Sequence, residues 1–487
     1  VTDVSLARTD AQSDEAFRIE QRGIDFVPES ERWAKPRDLF GMWAGSSVQF
    51  EYFVYGAVLM TFGFTFGQAI TLILIGNLSY LVLGVCSLQG PGAGTTVFTI
   101  NRATYGTNGS RVLALFNWLT QVGFETEGLT LVVLAAVALT AKAGFHAGTP
   151  AKVVFILLAA LIQTVLPFLG HATVVKTLRA LIAPFIVIYV ILAALTLHHA
   201  EFGHVHHGAN WQTFTVGLAF VLTLSGVGWV ECGNDYSRYL PPSASKKGIV
   251  GWIFVGGAIP QVLVMALGAS VATYVNINSG DPFTSFPHAF AAWFLVPFLV
   301  VAVVQLFAIN SLDLYSSGVT LQAMGLPVKR WMAVLLDTVI ACGLTFYAVF
   351  SSSFTNLLTI FVDGVIVWIA PWMAIFLLDW GLRRWRYVPA ELQRVDAGGL
   401  YWGTNGVQWR AVIAQLLGMV ASFLALNEYP HWVGPIAKAA GGGGADFSVF
   451  TGVIVAALAY LVLAGRGVRR QADAQDLLLA VAEEAAP

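Results

Sequence analysis

The sequence predicts an all-α integral membrane protein of twelve transmembrane helices, and three observations carry that expectation. Of 487 residues 57% are apolar and only 11% charged, and the mean hydropathy of +0.71 lies outside the range of soluble globular chains. The apolar runs are about twenty residues long, which suits a helix crossing the hydrocarbon core and is about twice what a barrel strand needs. The basic residues then segregate by loop: with the amino terminus inside, 23 Lys and Arg fall in the tails and even-numbered loops, and only Lys142, Lys152 and Lys438 fall on the other side. One missed or invented span would scramble that parity in every later loop.

The spans are expected to begin near Phe40, Phe64, Val112, Val153, Val174, Phe214, Val250, Trp293, Trp331, Leu357, Ala411 and Phe447. Residues 1–39 read as a cytoplasmic amino-terminal tail, too polar to be a cleavable leader. Residues 40–380 hold ten helices, 381–466 hold helices 11 and 12 with their loops, and 467–487 form a cytoplasmic tail with a short amphipathic helix through Leu477 to Val481. Gly441 to Gly444 mark a flexible outer loop. Pro184, Pro260 and Pro371 fall inside spans as kinks or irregular turns. Cys86, Cys232 and Cys342 lie in or beside spans and are expected to pack as small apolar residues, not to pair. A net charge of -2 argues against nucleic acid as a partner.

Two spans break their own helices. In the first, Trp43-Ala44-Gly45-Ser46-Ser47-Val48-Gln49-Phe50-Glu51 places small and polar residues well inside the membrane, and the sixth repeats the device with Ser225-Gly226-Val227-Gly228-Trp229-Val230-Glu231. Small residues also let helices pack closely. Breaks five spans apart, each followed by a carboxylate, point instead to an inverted-repeat transporter whose interrupted helices build a midplane site.

Seven carboxylates lie in or close to spans: Glu51, Glu125, Glu127, Glu231, Asp313, Asp337 and Asp363. Each costs about 2.5 to 3.5 kcal/mol at a helix centre, so some must face an aqueous cavity. Glu125 and Glu127, two residues apart, point about 200° away from each other on a helix. Glu125, beside Phe124, is the one expected to face a ligand, whereas Glu127, Asp337 and Asp363 are equally well read as hydrogen-bonded packing residues.

The junction Glu231-Cys232-Gly233-Asn234-Asp235-Tyr236-Ser237-Arg238-Tyr239-Leu240-Pro241 closely resembles a signature of the nucleobase:cation symporter-1 family, purine/cytosine permease branch. Similar stretches are Glu20 to Asp25, Val27 to Arg32 and Pro36 to Phe40 before the first helix, Tyr55-Gly56-Ala57 within it, Asn310 to Ser316, Ile369-Ala370-Pro371-Trp372 and Gly398 to Tyr401. The resemblance implies that the first ten helices form a five-plus-five inverted-repeat (LeuT-like) transport core over residues 40–380, with discontinuous helices 1 and 6. It further implies proton- or sodium-coupled uptake of a flat nitrogen heterocycle. The expected substrate-binding residues are Ser47, Gln49, Glu51, Phe124, Glu125, Gly128, Trp229, Glu231 and Asp313, on the first, third, sixth and eighth helices.

The chain departs from the family pattern where specificity is decided. A Gly-Trp pair followed four residues later by an amide appears here as Gly123-Phe124 and Gly128, an Asn near the first break is Ser47, and the second Asn of the eighth-helix motif is Asp313. Phe124 and Trp229 still offer faces to a planar ring, but groups including acceptor-only carboxylates have replaced amides. Ligands rich in N–H donors or carrying positive charge are favoured by that exchange.

In sodium-coupled relatives a pair of eighth-helix hydroxyls helps to hold the ion, and Phe307 and Ala308 align there. The coupling cation is therefore expected to be H+, carried by Asp313 or Glu231, while Gln305 and Ser311 keep Na+ open. No cofactor and no metal are expected, and the partners are a small heterocycle, the coupling cation and the lipid bilayer. The expected location is the plasma (inner) membrane, multi-pass, with both termini cytoplasmic. An amino-acid or polyamine carrier of the same architecture is the main alternative. An enzyme is not indicated, since neither His-Glu-x-x-His nor Gly-x-Ser-x-Gly nor a phosphate loop is present. The loop His198 to His207 reads as solvated, and Tyr236 and Arg238 as anchors of the sixth helix.

Overall fold

Small and polar residues do interrupt both helices. In the computed structural model, which describes residues 23–484 apart from 169–170, 204–207, 278–281, 286–289, 327–329, 351–352 and 429, the first span is split into α1 (Pro36–Ser47) and α2 (Phe50–Met60). Val48 and Gln49 leave helical geometry between them, Gln49 being fully extended at φ -125° and ψ 152°. The second span runs from α3 (Phe66–Asn77) through α4 (Tyr80–Cys86) to α5 (Gln89–Ala93). It is followed by α6 (Val97–Ile100), the long α7 (Arg102–Lys142), α8 (Thr149–Gln163), α9 (Val165–Phe168) and α10 (His171–Thr196). The sixth span stops at the end of α11 (Trp211–Thr223), turns irregularly through Leu224 to Cys232, and resumes as α12 (Gly233–Ser237).

Beyond the second break come α13 (Lys246–Val271), α14 (Ala292–Ala323), α15 (Arg330–Phe350), α16 (Phe354–Leu382), α17 (Pro389–Gln393) and α18 (Trp409–Leu424). A two-stranded hairpin, β1 (Asn427–Glu428) with β2 (Trp432–Val433), and α19 (Pro435–Ala439) then lead to α20 (Ser448–Leu463) and α21 (Gly465–Glu484). Helical segments thus stand wherever a span is expected. Seven helices among the described residues are long and apolar enough to cross a membrane unaided, and α20 with α21 would make an eighth but for a 66° bend. The rest are the broken or shorter helices. Pro184, Pro260 and Pro371 lie within continuous helices. The tail is helical well beyond the expected Leu477–Val481, with those two residues exposed on α21. Residues 20–22 of the amino-terminal motif and 204–207 of the histidine-rich loop lie outside the described residues.

The first helix packs against α13 so closely that side chains are excluded at the crossing. A Cβ on Gly56 would stand 1.9 Å from the Met265 carbonyl oxygen, and one on Gly268 1.9 Å from that of Phe53, so only glycine permits the approach. The family-type junction works as a set of ties. Asn234 accepts from the Gly90 amide (2.8 Å), Asp235 accepts from the Val97 amide at the start of α6 (2.9 Å), and the Arg238 guanidinium donates to the Gly23 carbonyl (2.7 Å) and the Tyr315 hydroxyl (3.1 Å). The Tyr236 hydroxyl shares a hydrogen bond of 3.0 Å with Ser316 on α14, so Arg238 and Tyr236 both anchor this end of the sixth span. Cys86, Cys232 and Cys342 are free thiols.

Buried apolar side chains divide into two clusters whose border runs through the breaks. Trp43 and Val227 belong to one, and Val48 and Leu224 to the other. Trp229 packs on the first cluster and Phe124 on the second. Buried polar side chains, Ser47, Gln49 and Glu51 among them, stand at this border, the seam between the clusters.

Candidate functional site

The seam holds a chamber. Glu51, Tyr52 and Tyr55 line it from α2, Phe124 from α7, Thr223 from the end of α11, Leu224, Gly228, Trp229 and Glu231 from the second break, and Ile309 and Asp313 from α14. Each wall follows from local structure: Glu51 and Tyr55 are four residues apart and share a face of α2, whereas Trp229 and Glu231 project from backbone freed of helical geometry. Trp229 is fixed by its indole N–H, which donates to the Tyr52 hydroxyl at 3.1 Å, and by an edge-to-face contact with Trp43 at 5.7 Å. Phe124 is held edge-on by Phe361 at 4.9 Å. The free volume is about 20 Å³, room for about one water, so the walls must part to admit a heterocycle.

Five of the expected site residues meet at this chamber: Glu51, Phe124, Trp229, Glu231 and Asp313. The others lie off it. Ser47 shares a hydrogen bond of 3.3 Å with Tyr80, whose own hydroxyl donates to Gln261. The Gln49 amide turns back to the Gly45 carbonyl at 2.6 Å, satisfying an acceptor that the break exposes. The Ser311 hydroxyl donates to the Ala308 carbonyl at 2.6 Å. Gly128 faces Asn310, whose side-chain oxygen would stand 2.1 Å from a Cβ at that position.

Glu125, expected to face the ligand, instead accepts from the Gln163 amide at 2.6 Å, and Gln163 in turn accepts from Asn310 at 3.0 Å. Of the two third-helix carboxylates it is Glu127 that reaches the chamber wall, by accepting from the Tyr55 hydroxyl at 2.6 Å. Asp337 is a packing residue held by the Trp118 indole (2.6 Å) and the Ser317 hydroxyl (2.5 Å). Asp363 lines a separate cavity of about 540 Å³ with Glu428.

The carboxylates differ in how they are paired. Glu125, Glu127 and Glu231 each have one oxygen engaged, the last by the Gln121 amide at 2.7 Å, and one oxygen without a partner among the described residues. Glu51 and Asp313 are 6% and 4% exposed, both on the chamber, with no hydrogen bond or ion pair to either carboxylate among the described residues. No basic side chain lines the chamber, and no described cluster of His, Cys, Asp and Glu has metal-holding geometry. At the first break the Val48 carbonyl accepts from Gln305 at 3.1 Å, and Gln305 accepts from Tyr189.

Sequence reasoning missed Tyr52, Tyr55, Gln121 and Gln163. The helical offsets of Tyr55 from Glu51 and of Gln121 from Glu125, four residues in each case, were the available signal for two of them. Gln163 comes from α8, at no fixed spacing from its partner.

Comparison with known proteins agrees with this architecture. The profile of a family described as permease for cytosine/purines, uracil, thiamine and allantoin matches residues 26–452. YxlA of Bacillus subtilis, named provisionally as a purine-cytosine permease, is 24% identical over 95% of this chain and 99% of its own length. The purine-cytosine permease fcyB of Emericella nidulans is 26% identical over 92% of this chain and 88% of its own. Among solved structures, the nucleobase-cation-symport-1 family transporter Mhp1, in a closed conformation with bromovinylhydantoin bound, superposes with a TM-score of 0.72 over 93% of this chain and 99% of that one, at 17% identity. That likeness fixes the fold, a LeuT-like helical bundle.

Proposed function

This chain belongs to the permease family for cytosine/purines, uracil, thiamine and allantoin, and we propose that it imports a nucleobase or related nitrogen heterocycle by cation symport with alternating access. The observation that carries the reading is the chamber itself. Aromatic faces from Trp229 and Phe124 and carboxylates from Glu51, Glu231 and Asp313 converge where two helices break, and this combination sandwiches a flat ring and accepts its N–H edge. Its location at the seam between the two apolar clusters suits a site reached alternately from either side.

The coupling ion in this reading is the proton. The Val48 carbonyl that the first break frees already accepts from Gln305, and Phe307 and Ala308 stand where sodium-coupled relatives carry a pair of hydroxyls, which favours the proton over sodium. Glu231, with one oxygen unengaged, and Asp313, with no hydrogen bond among the described residues, both line the chamber and suit reversible protonation. Placement in the plasma membrane with both termini cytoplasmic follows the charge asymmetry of the loops.

The test is uptake by purified protein in vesicles, offered labelled purines, cytosine, hydantoins, amino acids and polyamines under imposed pH or sodium gradients. Saturable accumulation of a heterocycle driven by an inward proton gradient is the expected outcome. Accumulation of amino acids or polyamines alone would overturn the assignment, and dependence on sodium with indifference to the proton gradient would replace the coupling ion.

A further inference from the structure

Three carboxyls, Glu51, Glu231 and Asp313, line this chamber and a fourth, Glu127, stands behind its Tyr55 wall, with no basic side chain among the described lining residues. Glu51 stands within charge-interaction range of both Glu127 and Asp313, and Glu231 within range of Asp313. Glu127 and Glu231 are each engaged by a neutral donor, Tyr55 or Gln121. Glu51 and Asp313 are more than nine-tenths buried, lie on the chamber, and have no hydrogen-bond or ion-pair partner among the described residues. Buried ionised carboxylates without a counter-charge are strongly disfavoured, so each of these two is either protonated or answered by something positive that enters. The rings of Tyr52, Phe124 and Trp229 on the same walls are also suited to a cation, whose charge is attracted to an aromatic face.

A second cavity has the same character. It measures about 540 Å³ and is lined by Asp363 and Glu428 together with Thr and Asn side chains, and among the described residues no Lys, Arg or His lines it. Among the described residues His431 is the basic group that acts on Glu428. Asp363 also feels the charge of Asp446 nearby. Phe220 belongs to this cavity and packs edge-on against Tyr55, a wall of the chamber, at 6.4 Å. A cleft of one charge sign concentrates ligands of the other.

We infer that the cargo is a positively charged nitrogen heterocycle, its fixed or acquired charge lying between the carboxylates of Glu51 and Asp313 and its ring against Trp229. This rests on the heterocycle reading above and narrows it. The charge requirement separates the cargo from neutral purines and cytosine by the cost of leaving two buried carboxylates unanswered.

Nicotinamide and 1-methylnicotinamide test this directly, since N-methylation fixes a positive charge on a ring of nearly unchanged shape, and thiamine adds a second fixed cation. The full chain in proteoliposomes at constant pH should take up or bind 1-methylnicotinamide or thiamine at least about tenfold more tightly than nicotinamide, cytosine or adenine. Asp313→Asn and Glu51→Gln should each erase that preference. Should a variant fail to fold, thermal unfolding of the unaltered protein gives the second reading: the cations stabilise it and the neutral rings do not. Saturable uptake of neutral bases with neither uptake nor stabilisation by the cations would overturn the charge assignment and leave the heterocycle function standing. Transport of neither class by folded protein counts against both.

Discussion

The Tyr55 hydroxyl donates to Glu127 at 2.6 Å, joining a wall of the chamber on α2 to a buried carboxyl on α7. The other Glu127 oxygen has no partner among the described residues, so Tyr55→Phe leaves this carboxyl without any. Loss of a buried donor of this kind costs about 1–3 kcal/mol, whereas Glu127→Gln keeps an oxygen able to accept from Tyr55. Thermal unfolding in detergent should therefore show Tyr55→Phe clearly less stable than Glu127→Gln. Equal midpoints would mean that the bond contributes nothing to stability.

Trp229 presents its ring to the chamber while its N–H is spent on Tyr52. Trp229→Ala removes the stacking face and should raise the apparent KM for uptake about tenfold, as loss of about 1.4 kcal/mol does. Trp229→Phe keeps a face and loses only the bond to Tyr52, so its KM should fall between. If the alanine variant transports with unchanged KM, the indole is not the stacking partner.

Fold and site were legible in the sequence to different depths, and for a physical reason. A bilayer demands long apolar helices and a charge asymmetry, both of which are one-dimensional patterns, so the span positions from Phe40 to Phe447 could be read directly. The two breaks were legible because Gly and Ser runs end in Glu51 and Glu231, which then meet at one chamber. Glu125 misled because adjacency to Phe124 in sequence says nothing about which neighbouring helix answers it. Gln163 arrives from α8 to take its oxygen, and rotation of α7 delivers Glu127 to Tyr55 instead. Helical offset says that two residues diverge, but only the packing of the partner helices says which of them faces inward.

Gly128 illustrates the same limit and carries its own prediction. The sequence shows a missing amide there, and the structure places the amide of Asn310 against it, bonded to the Glu125 carbonyl at 3.1 Å and to Gln163 at 3.0 Å. A Cβ at position 128 would come 2.1 Å from the Asn310 side-chain oxygen. Gly128→Ala should displace that amide and cost about 1–3 kcal/mol, seen as a lowered unfolding midpoint. Asn310→Ala combined with it should recover part of the Gly128→Ala loss, because the clash disappears.

At the carboxy-terminal end of α16, Asp379 and Arg383 form a buried ion pair at 2.8 Å, and Asp379 also accepts from Tyr460 (2.6 Å) and Thr104 (3.0 Å). Arg383 donates in turn to the Ala103 carbonyl and to Gln471 on α21, so four separate segments meet here. Removing one charge from a buried pair costs about 3–5 kcal/mol. Asp379→Asn should fall in that range, while substrate KM in whatever folds stays unchanged because the pair is remote from the chamber lining. A variant with normal stability but altered KM would contradict this structural role.

In the proton-coupled reading proposed above, with Glu51 and Asp313 facing the cargo, Glu231 is the carboxyl left to carry the proton. It sits on the second break, its one oxygen held by Gln121 and the other unengaged beside the chamber. A residue on irregular backbone between α11 and α12 changes its surroundings when the half-helices move, which is what binding a proton on one side and releasing it on the other requires. Glu231→Gln keeps size and one hydrogen-bonding oxygen but cannot cycle a proton. Vesicles carrying it should lose accumulation driven by an inward proton gradient, yet still exchange labelled for unlabelled substrate when both sides are loaded. Accumulation that survives the substitution would move the proton to another carboxyl, and loss of exchange as well would make Glu231 part of the binding site instead of the coupling step.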